Sequence, residues 1–153
     1  MKLNITLLEK VARAIQEHPD NTDMDVFVTH DSGISECGTV GCIAGWTLAD
    51  GDIEKLRRLN THHTLKWYHT RAAKKLGLTY DGAVSLFFTD AWPDKLRREF
   101  RREREGQMVG LGKATRHEVD FDHVASLIVR RIKQFIARHA VYERRKTGRH
   151  FGC

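Results

Sequence analysis

The residues of this chain that could do nucleophilic chemistry are its cysteines and histidines. Cys42 begins an apolar segment that is predicted to be helical, where the helix dipole and free amides would stabilise a thiolate. His30 could supply the general base that such a nucleophile needs. Other histidines that could serve are His62, His63 and His69. Against catalysis, Ile43 and Ala44 follow Cys42, which is typical of a small buried side chain. Both interpretations stay open.

The same cysteines could instead ligate a metal. Cys37 and Cys42, with His30 or the adjacent pair His62-His63, would supply ligands that zinc accepts. Zinc sites usually place the first two ligands two to four residues apart and add a second matched pair. Here the spacing is Cys-x4-Cys, no second cysteine pair exists, and adjacent histidine side chains diverge on a regular element. We therefore predict no metal and no cofactor.

A third pattern has the spacing of a helix-turn-helix. Ala73, Gly77 and Ala83 occupy the positions of the small residue, the turn glycine and the packing residue. The second helix of that motif reads DNA with Arg, Lys, Asn or Gln. Residues 79–90 contain no Lys or Arg and include two adjacent phenylalanines. This favours a helical hairpin that packs its aromatic residues into the core.

Charge is distributed unevenly along the chain. Residues 1–54 carry 3 Lys/Arg and 10 Asp/Glu, a net charge of −7, whereas residues 55–153 carry 23 and 10, a net charge of +13. The formal net charge of +6 therefore hides a polarised molecule. A basic second half suits an acidic partner, either nucleic acid or an acidic protein surface. A solvated helical surface would have the same composition.

Arginine is most concentrated in residues 94–105, and the last predicted helix adds further cations. The guanidinium group holds phosphates and carboxylates through two parallel hydrogen bonds, which makes arginine the preferred residue for both. The predicted binding residues are Arg97, Arg98, Arg101, Arg102, Arg104, Arg130, Arg131, Lys133 and Arg138.

Hydrophobic periodicity predicts an all-α fold, which must position these side chains. Helices are expected over residues 6–17, 42–49, 53–59, 65–76, 80–88, 94–105 and 118–145, with a short extended segment near 24–29. Thr6 and Glu9 have the spacing of a capping box, Gly77 suits a helix C-terminus, and Thr79 suits the following N-cap. Residues 1–145 would form a single compact domain of five to seven helices. Residues 146–153 would form a basic, frayed tail.

The predicted core places the 42–49 helix at the centre, the 118–145 helix as a long spine, and Trp92 at one end. Its members are Leu8, Val11, Ile15, Cys42, Ile43, Trp46, Leu76, Leu86, Phe87, Ile128, Ile132 and Phe135. The glycines of residues 106–112 indicate a flexible connection.

Four segments in order carry a family resemblance. They are Cys-Gly-Thr-Val-Gly-Cys-Ile-Ala-Gly-Trp at 37–46, Ala-Lys-Lys-Leu-Gly-Leu-Thr at 73–79, Leu-Phe-Phe at 86–88 and Trp-Pro at 92–93. Over about residues 5–140 the chain resembles a family of small proteins, of no established activity, from bacterial genomes, phages and mobile elements. The resemblance implies a helical domain and a phage or mobile-element setting, but no site residues. Small proteins from such settings often bind host machinery, including immune complexes.

Apolar runs in the chain are all shorter than the roughly 20 residues that a membrane span needs. Lys2 is followed by an amphipathic segment that contains acidic residues, unlike a signal peptide. We therefore expect no membrane partner, a cytoplasmic location, and three free thiols rather than a disulfide framework.

These features predict a non-catalytic binding protein, encoded by a phage or mobile element, that uses its Arg-rich surface. The expected partner is nucleic acid or a nucleic-acid-handling protein complex. An inhibitor of a host defence complex is one concrete form. The alternative is a small cysteine-dependent enzyme with Cys42 as its nucleophile.

Overall fold

Helices account for most of the chain in the computed structural model, which describes residues 2–24, 28–29, 40–105 and 120–148. The helices are α1 (Ile5–Glu17), α2 (Ile43–Leu48), α3 (Ile53–Arg58), α4 (Leu65–Leu76), α5 (Tyr80–Phe87), α6 (Asp94–Glu105) and α7 (Phe121–Gly148). Short 3₁₀ turns lie at Pro19–Asn21 and Thr89–Ala91, and two-residue strands at β1 (Val28–Thr29) and β2 (Val40–Gly41). The predicted all-α fold is confirmed for these ranges.

The short helix α2 lies at the centre of the fold, where α1, α3, α4 and α5 pack around it. Every residue from Ile43 to Thr47 is buried. The indole Nε1 of Trp46 donates to Thr22 Oγ1 at 3.1 Å, and Thr47 Oγ1 donates to the Ile43 carbonyl oxygen at 2.8 Å. Because these polar groups are paired, α2 can be enclosed without an unsatisfied donor.

The N-terminal residues cap the end of α4. Gly77 ends that helix in the left-handed conformation, with φ of 67°. The Asn4 amide donates to the Leu76 carbonyl oxygen at 2.9 Å, while Asn4 Oδ1 accepts from the Leu7 amide at 3.1 Å and so caps α1. The prediction that Thr6 caps α1 was wrong because Asn4, an equally good cap, starts the helix earlier.

The long helix α7 packs against α1 and α6. It begins at Phe121, where Asp120 Oδ1 accepts from the His123 amide at 3.0 Å, and it continues through Gly148. The helix thus extends three residues beyond the predicted end at 145. Residues 149–153 and the glycine-rich segment 106–112 lie outside the described residues.

Trp92 closes one end of the core, as predicted. Its indole Nε1 donates to the Leu86 carbonyl oxygen at 3.1 Å, and its ring meets the edge of Phe100 at 5.1 Å between centroids. All of the other predicted core residues are buried except Phe135, which is partly buried against the core.

The extended segment pairs with β2. Val28 lies opposite Gly41 and Thr29 opposite Val40, in antiparallel register. Residues 25–27 of the predicted segment lie outside the described residues. Within the described part of the chain, no helix is both long and apolar enough to cross a membrane.

The Gly77→Ala variant should lower the free energy of unfolding by more than about 2 kcal/mol in urea denaturation. A left-handed conformation costs a residue with Cβ about 1–2 kcal/mol. In addition, a Cβ on Gly77 would lie 2.1 Å from the Lys2 carbonyl oxygen.

The Gly77→Asn variant isolates the second effect, because Asn tolerates the left-handed conformation. Gly51→Asn is the matched control: Gly51 has φ of 65°, and a Cβ added there would lie 3.0 Å from its nearest atom, the Lys10 carbonyl oxygen. Gly77→Asn should lose clearly more stability than Gly51→Asn. Equal losses would contradict the close packing of the N-terminal segment on α4.

Candidate nucleic-acid interface

The helix α6 is anchored by one apolar side and leaves a basic side exposed. Leu96 and Phe100 are buried. Lys95, Arg98 and Arg102 are exposed and, at positions i, i+3 and i+7, lie along one face of the helix. None of the described carboxylates pairs with any of these three side chains. We call this set the α6 stripe.

Two other arginines of α6 are engaged within the protein. Arg97 donates to Asp94 Oδ1 at 2.6 Å and to the Asp90 carbonyl oxygen at 2.8 Å, and Arg101 forms an ion pair with the Asp90 side chain. Exposed ion pairs contribute little to stability. They do, however, neutralise charge locally, so Arg97 and Arg101 are weaker candidates for phosphate binding than the α6 stripe.

An ion pair and a histidine–carboxylate contact join α6 to α7. Arg130 Nη1 lies 2.9 Å from Glu99 Oε2, and His123 Nε2 lies 3.6 Å from Glu103 Oε1. Arg130 is exposed, but Glu99 already provides it with a carboxylate partner. The side chain of Arg104, also predicted to bind, lies outside the described residues.

Arg131 does not lie on the basic surface where it was predicted, since only 2% of it is exposed. Its Nη2 donates to the Ser85 carbonyl oxygen at 2.6 Å, and its guanidinium lies 5.5 Å from the Phe135 ring centroid. The Ser85 carbonyl belongs to the last turn of α5, so Arg131 places a cation at a helix C-terminus. Burial, and then the charge of Arg138, lower the pKa of Arg131 to about 10.

Lys133 and Arg138 are exposed but do not form one surface with each other. They are five positions apart in sequence, which places them about 140° apart around α7. Lys133 borders a groove of about 440 Å³ between α1 and α7, while Arg138 lies beside Val141 and Tyr142. The predicted binding residues whose side chains are described are thus spread over several faces.

Cys42 is placed poorly for nucleophilic chemistry. It precedes α2 as its N-cap and is 3% exposed. Burial raises the pKa of the Cys42 thiol to about 11, and the amides of Gly45 and Ala44 oppose this rise without cancelling it. The helix start thus acts in the predicted direction, but desolvation of the thiolate is the larger effect. The proposed base, His30, and the other cysteine of the motif, Cys37, lie outside the described residues.

Two of the remaining candidate histidines, His63 and His69, contact aromatic rings. His63 stacks on Trp67 at 3.7 Å between centroids. His69 is enclosed by Tyr80, Phe87 and Phe88, and burial lowers its pKa. Among the described residues, no group of three or more His, Cys, Asp or Glu side chains is arranged to hold a metal.

Sequence analysis missed the outer face of α4 and α5 as a candidate surface. A usable signal was present, because α4 combines lysines, an arginine and aromatic residues with no Asp or Glu at all. Arginine is more concentrated in residues 94–105, so the sequence favoured α6 over α4 as the predicted interface. The hairpin of α4 and α5 itself was predicted and is confirmed by their packing.

Comparison of the chain with protein-family models, with curated proteins and with solved structures gave no match. The resemblance of residues 37–46 and the later segments to phage and bacterial proteins therefore stays a prediction.

Native Cys42 should react very slowly with a thiol reagent such as Ellman's. With a thiol pKa of about 11, only about one molecule in a thousand carries the thiolate at about pH 8. In a Cys37→Ser, Cys153→Ser background, we expect labelling at least about 100-fold slower in the native state than in denaturant.

Raising the pH towards 11 should accelerate native labelling, because the thiolate fraction rises about tenfold per pH unit below the pKa. Circular dichroism at each pH serves as the control for unfolding. Rapid stoichiometric labelling of the folded protein near neutral pH would contradict the burial of Cys42 and revive the enzyme alternative.

Proposed function

We propose that this chain is a non-catalytic binding protein that holds the phosphate backbone of nucleic acid on the α6 stripe. The observation that supports this best is the exposure of Lys95, Arg98 and Arg102 on one face without carboxylate partners among the described residues. Cations that are not paired within the protein remain available to an anionic partner. Phosphate, like carboxylate, is an anion that arginine holds in two-point contacts.

The surroundings of the α6 stripe favour a partner rather than a purely solvated helix. Arg97, Arg101 and Arg130 have their carboxylates close at hand, whereas the outward residues have none among the described side chains. Charge on α6 is thus sorted: pairs form toward Asp90 and α7, and unpaired cations face outward. A helix selected only for solubility would gain nothing from this separation.

Binding through so few cations would be largely independent of base sequence and strongly dependent on salt. Each phosphate that a cation neutralises releases condensed counterions, so affinity falls as salt rises. The resemblance to phage and mobile-element proteins suggests one concrete role for such binding. We propose that the protein occupies the nucleic-acid path of a host defence complex.

The enzyme alternative has less support. A buried thiol with a raised pKa is a poor nucleophile near neutral pH. No described feature of Cys42 favours a catalytic role over a packing role.

The double variant Arg98→Gln, Arg102→Gln should weaken nucleic-acid binding and flatten its salt dependence. Loss of two phosphate contacts should reduce the slope of log affinity against log salt by about 1.4 to 1.8. Fluorescence anisotropy with labelled duplex and single-stranded oligonucleotides, between about 50 and about 200 mM salt, measures both quantities.

The matched control is Lys10→Gln, Arg13→Gln, which removes the same charge from exposed positions of α1. It should leave the slope nearly unchanged, since long-range effects of net charge are screened. If both variants lose affinity equally, the interaction is with net charge and not with the α6 stripe. If the parent protein binds no nucleic acid even at low salt, the proposed function is wrong, and the α6 stripe becomes a candidate for docking an acidic protein.

A further inference from the structure

The outer face of α4 is strongly basic and separate from the α6 stripe. The helix contains no Asp or Glu. Of its cations, Lys75 is used internally, since its Nζ binds Asp50 and the Leu48 carbonyl oxygen. Lys66, Arg71 and Lys74 are exposed, and no described carboxylate pairs with them.

Two of these cations form a row along the helix. Lys66, Thr70 and Lys74 occupy positions i, i+4 and i+8, which lie side by side and extend over about 12 Å of α4. All three are exposed. The row thus offers two ammonium groups and a hydroxyl to an anionic chain that runs along the helix.

Flat side chains flank this row on both sides. On one side, Trp67 stacks with His63 at 3.7 Å and has the Arg71 guanidinium 5.3 Å from its ring centroid. On the other side, Tyr80 is 74% exposed and Phe88 is 40% exposed. Tyr80 and Phe88 both contact His69, so their exposed rings lie close together rather than scattered singly over the surface.

A pocket of about 230 Å³ opens between the row and the exposed aromatic side chains. It is lined by His69, Thr70, Ala73, Lys74, Leu78 and Tyr80. His69 is only 8% exposed, and its Nε2 has no hydrogen-bond partner among the described residues. His69 thus contributes a largely buried ring to the wall of this pocket.

We propose that this face binds an unpaired strand of RNA or DNA, with a base stacked on Tyr80 over the His69 pocket and the phosphates along Lys66 and Lys74. The inference rests on the proposed function for its partner class but uses different residues. We call these residues the α4–α5 face.

A single strand fits this face better than a duplex does. Base stacking on aromatic side chains requires a base that is free of its own stack, and every base has a face that can stack. Lysines on one side of the platform then follow the backbone, as in other surfaces that bind single strands without sequence preference. An acidic peptide would satisfy the lysines but not the exposed ring of Tyr80.

The test compares Tyr80→Ala with Tyr142→Ala by anisotropy, using short labelled oligo(dT), oligo(U) and a duplex of the same length. Tyr142 is another exposed tyrosine, on α7, and is the matched control. Tyr80→Ala should weaken binding of the single strands by about 5- to 150-fold, the effect of losing one stacked base. Tyr80→Phe should restore it, and duplex binding should change little. Thermal unfolding by circular dichroism verifies that each variant is folded.

Each outcome decides between the two surfaces. If Tyr80→Ala binds single strands as well as Tyr142→Ala does, the α4–α5 face is not a binding site, whatever the α6 variants show. If Tyr80→Ala weakens single-strand binding while the double variant Arg98→Gln, Arg102→Gln does not, the α4–α5 face is the binding site and the role proposed for the α6 stripe is wrong. Equal loss of duplex and single-strand binding in Tyr80→Ala would overturn the stacking role, and no binding by the parent protein would overturn both proposals.

Discussion

The hydrogen bond between the Trp46 indole and Thr22 is the interaction on which the rest of the fold depends. Trp46 is fully buried at the centre of α2, where its nitrogen has no access to water. Thr22 supplies the acceptor, and it belongs to the segment after α1, which also bridges to Gly41 just before α2. One buried bond thus fixes the acidic N-terminal part against the central helix and allows α1, α3, α4 and α5 to enclose that helix.

Local signals predicted the elements well where capping and periodicity agreed. The predicted bounds of α4 match the structure because Thr64 caps its start and Gly77 ends it, and both effects are local. The contact of Asn4 with the end of α4 was not predictable, since the two lie more than seventy residues apart in sequence. Arg131 was misplaced for a similar reason: it adjoins Arg130 in sequence, and only the position of α5 decides which of the two is buried.

The candidate surfaces were hard to predict for a similar reason, because tertiary packing decides which charged side chains form ion pairs. The sequence identified α6 as arginine-rich but could not show which of its charges are paired. The pairing of Arg101 with Asp90 depends on the position of the 3₁₀ turn, and the pairing of Glu99 with Arg130 depends on the packing of α7. Once the paired residues are set aside, the basic surface becomes narrower and better defined. The α4–α5 face was missed because its aromatic residues come from two helices and converge only after the hairpin has closed.

The contact between Asn4 and the end of α4 has a consequence for the order of folding. The carbonyl groups of Lys75 and Leu76 at the end of α4 accept hydrogen bonds from Asn4, so this contact closes a loop of about seventy residues. Loop closure of that length carries an entropic cost that local helix formation does not recover. We therefore expect the two bonds from Asn4 to form late, with the docking of α1, whereas the local bonds from Gly77 and Leu78 can end α4 before that contact closes.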